Sequence, residues 1–345
     1  MKNNVRLSNL GEFQIIEFIE DLVFQKTGKR LIRDDSFFFS LDKKLLSPDG
    51  KQVDLIFNTD MLVSTTDVPK HMSFYQIGRK AVLMNLSDLL VKGVKPKGIF
   101  ISFGLYSEME LGNFRELMNG IIDYCVKWNI DYLGGDVNET KELVINPTIF
   151  GVQDCSKIVH RKGIKSGNYL VANGKFGLNG VGFDILINKK GDPKDYSIYK
   201  RSIMSVLEPK DLGKEAIILS EKNLATASID SSDGLAKSLT DLMYSNPEIN
   251  IGFEIEFNEE LIDEEAFMYS KEFNIPLENL VFYGGEEFIH IFTIDPTSYN
   301  SALKAIKSQV GQIFRIGKVI SEKKIYYLNK SEKIELKKSG FEHFK

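Results

Sequence analysis

The chain reads as an α+β protein made of two mixed α/β domains, and three observations predict this. Its 345 residues are enough for two domains of ordinary size, each with its own core. Helical apolar periodicity and short strand-length apolar runs occur in both halves. Short acidic motifs stand beside glycine or at the ends of those runs: Asp34-Asp35, Asn58-Thr59-Asp60, Asn85 with Asp88, Gly134-Gly135-Asp136, Asp230 with Asp233-Gly234, and Gly284-Gly285-Glu286-Glu287.

Phe13, Ile15, Ile16, Phe18, Ile19, Leu22 and Val23 fall at helical spacing and predict an amphipathic helix over 12–23. Residues 30–39 are strand-like apart from Asp34-Asp35. Adjacent acids in a strand face opposite ways, so one must be paired, exposed or bound to an ion. A strand over 53–57 delivers Asn58, Thr59 and Asp60, and a long helix over 75–90 stops at Gly93 with Pro96 beyond. Strands over 98–105 and 143–152 flank a second long helix, 111–128, and Tyr132-Leu133 enters the Gly-Gly-Asp turn. The polar, basic stretch 154–168 marks the junction between a first domain, 1–153, and a second, 154–345. In the second, strands are predicted at 169–172, 225–229, 253–257, 280–282 and 288–293, and helices at 212–220, 235–244 and 301–310. Gly174, Gly177, Gly180 and Gly182 predict a turn, and 189–196 an exposed loop.

Composition narrows the function. A net charge of −4 gives no basic footprint for nucleic acid. The two cysteines, Cys125 and Cys155, lack metal-ligand spacing and fit a reducing compartment. No apolar run reaches the roughly 18 residues of a membrane span, and no signal pattern opens the chain, so a cytoplasmic location is expected. His71, His160, His290 and His343 show neither zinc nor Ser–His spacing. No Walker-type or kinase-type glycine loop occurs.

The acids carry the chemistry. Carboxylates gathered in one site repel one another and resist ionisation. Two or more divalent cations such as Mg²⁺, which takes one or two carboxylates plus substrate phosphates, remove the conflict. Asn85 and Asp88, three apart, share one face of a helix that is apolar nearly all round, so they need buried partners. Gly134-Gly135 lets the backbone approach a ligand. Asp230 to Gly234 lies between strand and helix, where free N–H groups favour an anion; Ser232 or Asp233 could equally cap the helix. Gly284 to Glu287, between two predicted strands, reads as a strand-end site or a hairpin turn. Arg161 and Lys165 are the obvious phosphate grips, Arg161 being the better geometric match, with a solvated linker as the plain alternative. No general base is evident. That suits a phosphate oxygen as nucleophile, which is already anionic and needs only positioning and charge neutralisation. The residues describe a metal-dependent, phosphate-handling enzyme.

Taken in order, the motifs resemble the thiamine-monophosphate kinases, within the aminoimidazole-ribonucleotide-synthetase-like superfamily. The resemblance runs from Leu10-Gly11-Glu12-Phe13 through Asp34-Asp35, Thr59-Asp60-Met61-Leu62-Val63, Thr66-Asp67-Val68-Pro69, Ile77-Gly78-Arg79-Lys80-Ala81 and Asn85-Leu86-Ser87-Asp88. It continues with Gly134-Gly135-Asp136, Ile229 to Leu235, Tyr283 to Glu287 and Gly340-Phe341-Glu342-His343-Phe344. It implies that ATP phosphorylates thiamine monophosphate to thiamine diphosphate by direct γ-phosphoryl transfer, with several Mg²⁺ ions and a homodimer built through the N-terminal sheet. By motif position it implies metal ligands at Asp34 or Asp35, Thr59, Asp60, Asp88, Asp136, Asp230 and Asp233, with Asn58 contributing. Asp60, Asp88, Asp136 and Asp233 would be the catalytic set. Gly135, Asp136, Arg161 and Ser232 would contact ATP, and Asp67, Glu286 and Phe341 would line the thiamine site, the ring facing the cationic thiazolium. Arg33 stands where the family usually has Gly, Asn58 where it has Ser or Thr, and Asp67 where bacterial members commonly have His. Selenophosphate synthetase and the hydrogenase-maturation dehydratase are disfavoured, since neither an N-terminal nor a C-terminal reactive Cys is present. Aminoimidazole-ribonucleotide synthetase, or a catalytically silent nucleotide- or metal-binding homologue, is the alternative.

Overall fold

A computed structural model of the chain describes residues 12–28, 30–31, 33–40, 52–309, 311–330 and 332–336. The elements of the first half are α1 (Glu12–Thr27), β1 (Phe37–Ser40), β2 (Val53–Asn58), β3 (Leu62–Val63), α2 (Ser64–Asp67), α3 (Phe74–Val91), β4 (Pro96–Leu105), α4 (Leu111–Trp128), β5 (Asp131–Tyr132), β6 (Val137–Glu139) and β7 (Val144–Asp154). The second half has β8 (Tyr169–Ala172), α5 (Leu178–Phe183), α6 (Lys200–Leu207), α7 (Glu215–Glu221), β9 (Ala227–Ser231), α8 (Leu235–Tyr244) and β10 (Gly252–Glu256). It continues with α9 (Glu264–Phe273), α10 (Leu277–Phe282), β11 (Ile289–Ile294), α11 (Tyr299–Lys307), β12 (Phe314–Ile320), β13 (Ile325–Asn329) and β14 (Glu332–Glu335).

The first sheet runs β1-β2-β7-β4-β5, with β3 on β7 and β6 on β4; only β4 with β5 and β6 pairs parallel. The second runs β14-β13-β10-β12-β8-β11-β9. Helix α3 lies between them, packing on β2, β4 and β7 on one side and on β9 and β11 on the other. This explains its composition: from Ile77 to Val91 every residue except Met84 is buried, and a helix hydrophobic all round must be. Ser73 and Gln76 start it with a reciprocal capping box. Gly93, at φ +77°, ends it in the left-handed conformation usual after a helix C-terminus. Helix α4 packs so close to α3 that a Cβ on Gly78 would lie 2.1 Å from the Leu117 carbonyl oxygen.

Most predicted elements occur within a few residues of their expected bounds, and two expectations fail where the site is built. Residues 30–39 are not one strand. β1 begins only at Phe37, and Asp34 to Ser36 form a bend, so the two acids do not point to opposite faces. Residues 280–282 end helix α10 instead of forming a strand, so Gly284 to Glu287 connects a helix to β11 and is not a hairpin. Three apolar residues in a row carry no period, and all three are buried in a helix that packs on α5, α8 and α9. The glycines expected in a turn at 174–182 include two inside α5, while α6, α9 and β12 to β14 had not been anticipated. Among the described residues no helix is long and apolar enough to cross a membrane.

Candidate active site

Three elements bring three carboxylates together. The bend before β1 supplies Asp35, α3 supplies Asp88 and the end of β9 supplies Asp230; one oxygen of each lies within 4.8 Å of the others, and all three are buried. Asp88 follows Asn85 by one helical turn, so the pair faces the exit of β2. There Asn85 Oδ1 accepts from the Asp60 N–H at 2.8 Å and its Nδ2 donates to the Asp60 carbonyl at 3.1 Å. Asn58 Nδ2 donates to Asp88 Oδ2 at 2.8 Å and to the Asp35 carbonyl at 3.1 Å. An exposed polar stripe on α3 is thereby excluded. The β2–β7 register, with Asn58 opposite Ile149, carries Asn58-Thr59-Asp60 to this corner.

Electrostatics follow from crowding. Burial first, and then the charges of Asp230, Asp60 and Asp35, push the Asp88 carboxyl well above the usual carboxylate range. Burial, then Asp35, raises Asp230 to about 7, against the hydrogen bond that Ser87 Oγ donates to its Oδ2 at 2.8 Å. Asp88 and Asp230 resist ionising together without a further cation beside them.

Asp34 and Asp35 have cations of their own. The Lys92 ammonium sits on Asp34 Oδ1 at 2.8 Å and on Asp35 Oδ2. Arg161 grips Asp35 Oδ1 through Nη2 and through Nε at 3.1 Å, and its backbone N–H donates to Asp34 Oδ2 at 3.0 Å. Burial alone would raise Asp34, but the Lys92 charge and the bonds from His160, Lys92 and Arg161 hold it well below the ordinary value. Burial opposes the Arg161 charge too, and Asp35 outweighs it, so Arg161 stands above its ordinary value.

The other expected residues divide into two groups. Lys80 gathers the residues expected at the thiamine, donating to Glu286 Oε1 and to the Asp67 carbonyl, each at 2.6 Å. Glu286 is held at φ +57°, its N–H on the Ser232 carbonyl and its own carbonyl accepting from Asn179 Nδ2 at 2.8 Å. Asp136, Ser232 and Thr59 are exposed and Asp233 is half-buried; none of them belongs to the three-carboxylate cluster. Thr59 Oγ1 donates to the Pro147 carbonyl at 2.8 Å, and Lys237 Nζ lies 3.7 Å from Asp233. Gly135 must be glycine: at φ +152° a Cβ would stand 1.8 Å from the Ile101 carbonyl oxygen. Phe341 lies outside the described residues.

Sequence reasoning missed three members. Lys80 and Lys92 are buried cations, whereas Arg161 and Lys165 alone had been expected to face the acids. A lysine next to a helix-ending glycine looks like an ordinary cap. His290 is the third: paired with Asp230 across β11 and β9, its Nε2 lies 3.3 Å from Ser87 Oγ, and burial lowers its pKa to about 3, leaving it neutral.

The chain is similar to proteins already known. Residues 41–153 match the family described as AIR synthase related protein, N-terminal domain. The thiamine-monophosphate kinase of Nitrosopumilus maritimus is 32% identical over 342 residues, covering 98% of this chain and all of its own. That of Methanocaldococcus jannaschii is 26% identical over 325 residues, covering 91% of this chain and 94% of its own. Among solved structures, AaThiL complexed with AMPPCP and TMP superposes with a TM-score of 0.79 at 23% identity, covering 99% of each chain. The buried carboxylate corner and the near full-length likeness together identify the chain as an enzyme, a kinase that belongs to the thiamine-monophosphate kinase family of the aminoimidazole-ribonucleotide-synthetase-like superfamily.

Proposed function

We propose that this enzyme transfers the γ-phosphoryl group of ATP directly to the phosphate of thiamine monophosphate, giving thiamine diphosphate and ADP, with Mg²⁺ held by the acids of the corner. The convergence of Asp35, Asp88 and Asp230 carries the reading. Relatives named thiamine-monophosphate kinase support the activity, and a fold neighbour holding AMPPCP and TMP supports the substrate pair.

The donor set fits Mg²⁺. It consists of hard carboxylate oxygens, and the buried Asn58 Oδ1 beside them has no hydrogen-bond partner. Asp35, Asp88 and Asp230 would hold the metal, with Asp60, Asp136 and Asp233 reaching toward the same phosphates and Asn58 and Thr59 at the margin. When bound, Mg²⁺ supplies neutralisation of the charge on the transferring group. The chain's own work is positioning. Gly135, Asp136 and Ser232 would offer backbone N–H and polar groups to the nucleotide. Arg161 steadies Asp35 and would take a phosphate oxygen as a further partner. Lys80 holds Glu286 beside the α2 turn of Asp67, a polar wall for the thiamine end to which Phe341 would add a ring. The acceptor oxygen is anionic from the start, so no proton is removed.

Residues 1–153 would then carry ATP and Mg²⁺ binding and dimerisation, and 154–345 would complete the site. The homodimer reading rests on the face of the first sheet turned away from α3. Phe37, Phe39, Phe100 and Val152 are exposed there, Phe57 and Phe150 are half-buried, and the Phe150 ring lies 5.9 Å from Phe57 and 6.2 Å from Phe100. So continuous an apolar face wants a partner. An ADP-release assay with thiamine monophosphate, ATP and Mg²⁺, with the product mass identified, tests the function. Absence of turnover alongside intact Mg·ATP binding overturns it.

A further inference from the structure

The acids of the corner are expected to take divalent ions, yet the most completely buried cation beside them belongs to the chain itself. Lys92 has no exposed side-chain surface. Its Nζ meets four oxygens: Asp34 Oδ1 at 2.8 Å, Asp35 Oδ2, the Ser228 carbonyl at 2.8 Å and Ser228 Oγ at 3.4 Å. The Ser228 hydroxyl is turned to receive it, because its own proton points to the carbonyls of Val91 and Val159, 2.8 and 2.9 Å away. Two carboxylates, a carbonyl and a hydroxyl form an all-oxygen shell of the kind hard cations take. Here an ammonium fills it.

Each element that Lys92 touches carries one carboxylate of the cluster. Asp88 lies one helical turn before Lys92 at the end of α3. Ser228 precedes Asp230 by two residues in β9, on the same face of the strand. Asp35 is bonded directly. One side chain therefore sets the register among the bend, the central helix and the second sheet. The charges balance as well: Asp34 and Asp35 against Lys92 and Arg161.

We propose that Lys92 is the positioning residue of this site, a resident cation that locks Asp34 and Asp35 and so holds Asp35, Asp88 and Asp230 together before any divalent ion arrives. It makes no contact with substrate. It acts through the acids, and the occupants of their far side follow from the function proposed above.

The test is a thermal-unfolding cycle of the full chain without nucleotide or thiamine phosphate, in EDTA and in millimolar Mg²⁺. Lys92→Met leaves two buried carboxylates facing one guanidinium and is expected to lower Tm in EDTA by roughly 4–7 °C. Mg²⁺ is expected to restore it by more than it raises the wild-type protein, since a divalent ion can enter the emptied oxygen shell. Asp34→Asn combined with Lys92→Met removes one charge of each sign and is expected to recover most of the loss in EDTA and to abolish the extra Mg²⁺ response. A residue serving only to fill space would move none of the metal dependence. A double variant no more stable than Lys92→Met, or a Lys92→Met protein that gains no more from Mg²⁺ than wild type, overturns the proposal. If Lys92→Met does not fold, the double variant decides alone: folding supports the proposal and failure overturns it. A wild-type protein indifferent to Mg²⁺, beside a responsive Lys92→Met and a rescued double variant, would instead count against the metal reading and leave Lys92 in its role.

Discussion

Replacing Asp230 by Asn should make the metal-free protein more stable while destroying its activity. In the folded chain burial, and then Asp35, raise the Asp230 pKa from 3.8 to about 7. A carboxyl with a raised folded pKa favours folding only while protonated. Its contribution is fully present below the unfolded value of 3.8 and is lost as pH climbs through about 7. At pH 8 the metal-free protein therefore carries an ionised Asp230 at a cost on the order of 4 kcal/mol, at about 1.4 kcal/mol per pH unit of separation. Asparagine keeps the shape and still accepts from Ser87, and its amide proton can meet Asp88. Part of the cost is shared with Asp88, so a relief of about 2–4 kcal/mol is expected. Unfolding entropy of about 2.1 cal/mol/K per residue makes that a rise of about 3–6 °C in Tm for a chain of this length. The assay is thermal unfolding in EDTA from pH 5 to pH 8, wild type against Asp230→Asn. The gap should be widest at pH 8 and should narrow toward pH 5, where Asp230 is protonated in the folded protein. Mg²⁺ should narrow or reverse it, and turnover should fall by roughly 10²-fold or more, since several kcal/mol of charge stabilisation go with the ligand. A variant less stable than wild type in EDTA at pH 8, or a gap independent of pH, would refute the repulsion argument.

Asp60→Asn keeps the backbone bonds to Asn85 and removes one of the charges that crowd Asp88, so the metal-free protein should unfold no more easily than wild type while ADP release drops by roughly 10²-fold; near-normal turnover would remove Asp60 from the site. Gly135→Ala must move the Ile101 carbonyl or the turn, and urea unfolding should show a loss of roughly 2–4 kcal/mol; a loss below about 1 kcal/mol would mean that the close approach is relaxed in solution. Phe100→Asp places a charge in the apolar face of the first sheet, and sedimentation should show monomers that remain folded and bind Mg·ATP. An unchanged dimer would place the interface elsewhere.

Much of this protein is legible in the order of its residues. The seven apolar residues around 13–23, the glycine and proline after α3, and the placement of acids at strand exits are local signals. Helical period, chain breakers and charge crowding do not depend on what packs nearby. Asn85 with Asp88 could be read as buried because α3 has no polar face to turn outward. Tertiary structure decided the rest. Asp34-Asp35 looked like a strand whose acids must diverge, yet a bend turns both toward Lys92, a partner 58 and 57 residues away in sequence. Residues 280–282, a run too short to carry a period, are helical and buried among α5, α8 and α9. Lys92 and Lys80 resemble ordinary helix lysines, and only the sandwiching of α3 between two sheets buries them and gives each a carboxylate. The sequence determines that acids and glycines are present at the right corners. Which acid meets a built-in cation, and which are left crowded enough to require a divalent one, is set by contacts between segments 23 to 206 residues apart, which no local pattern encodes.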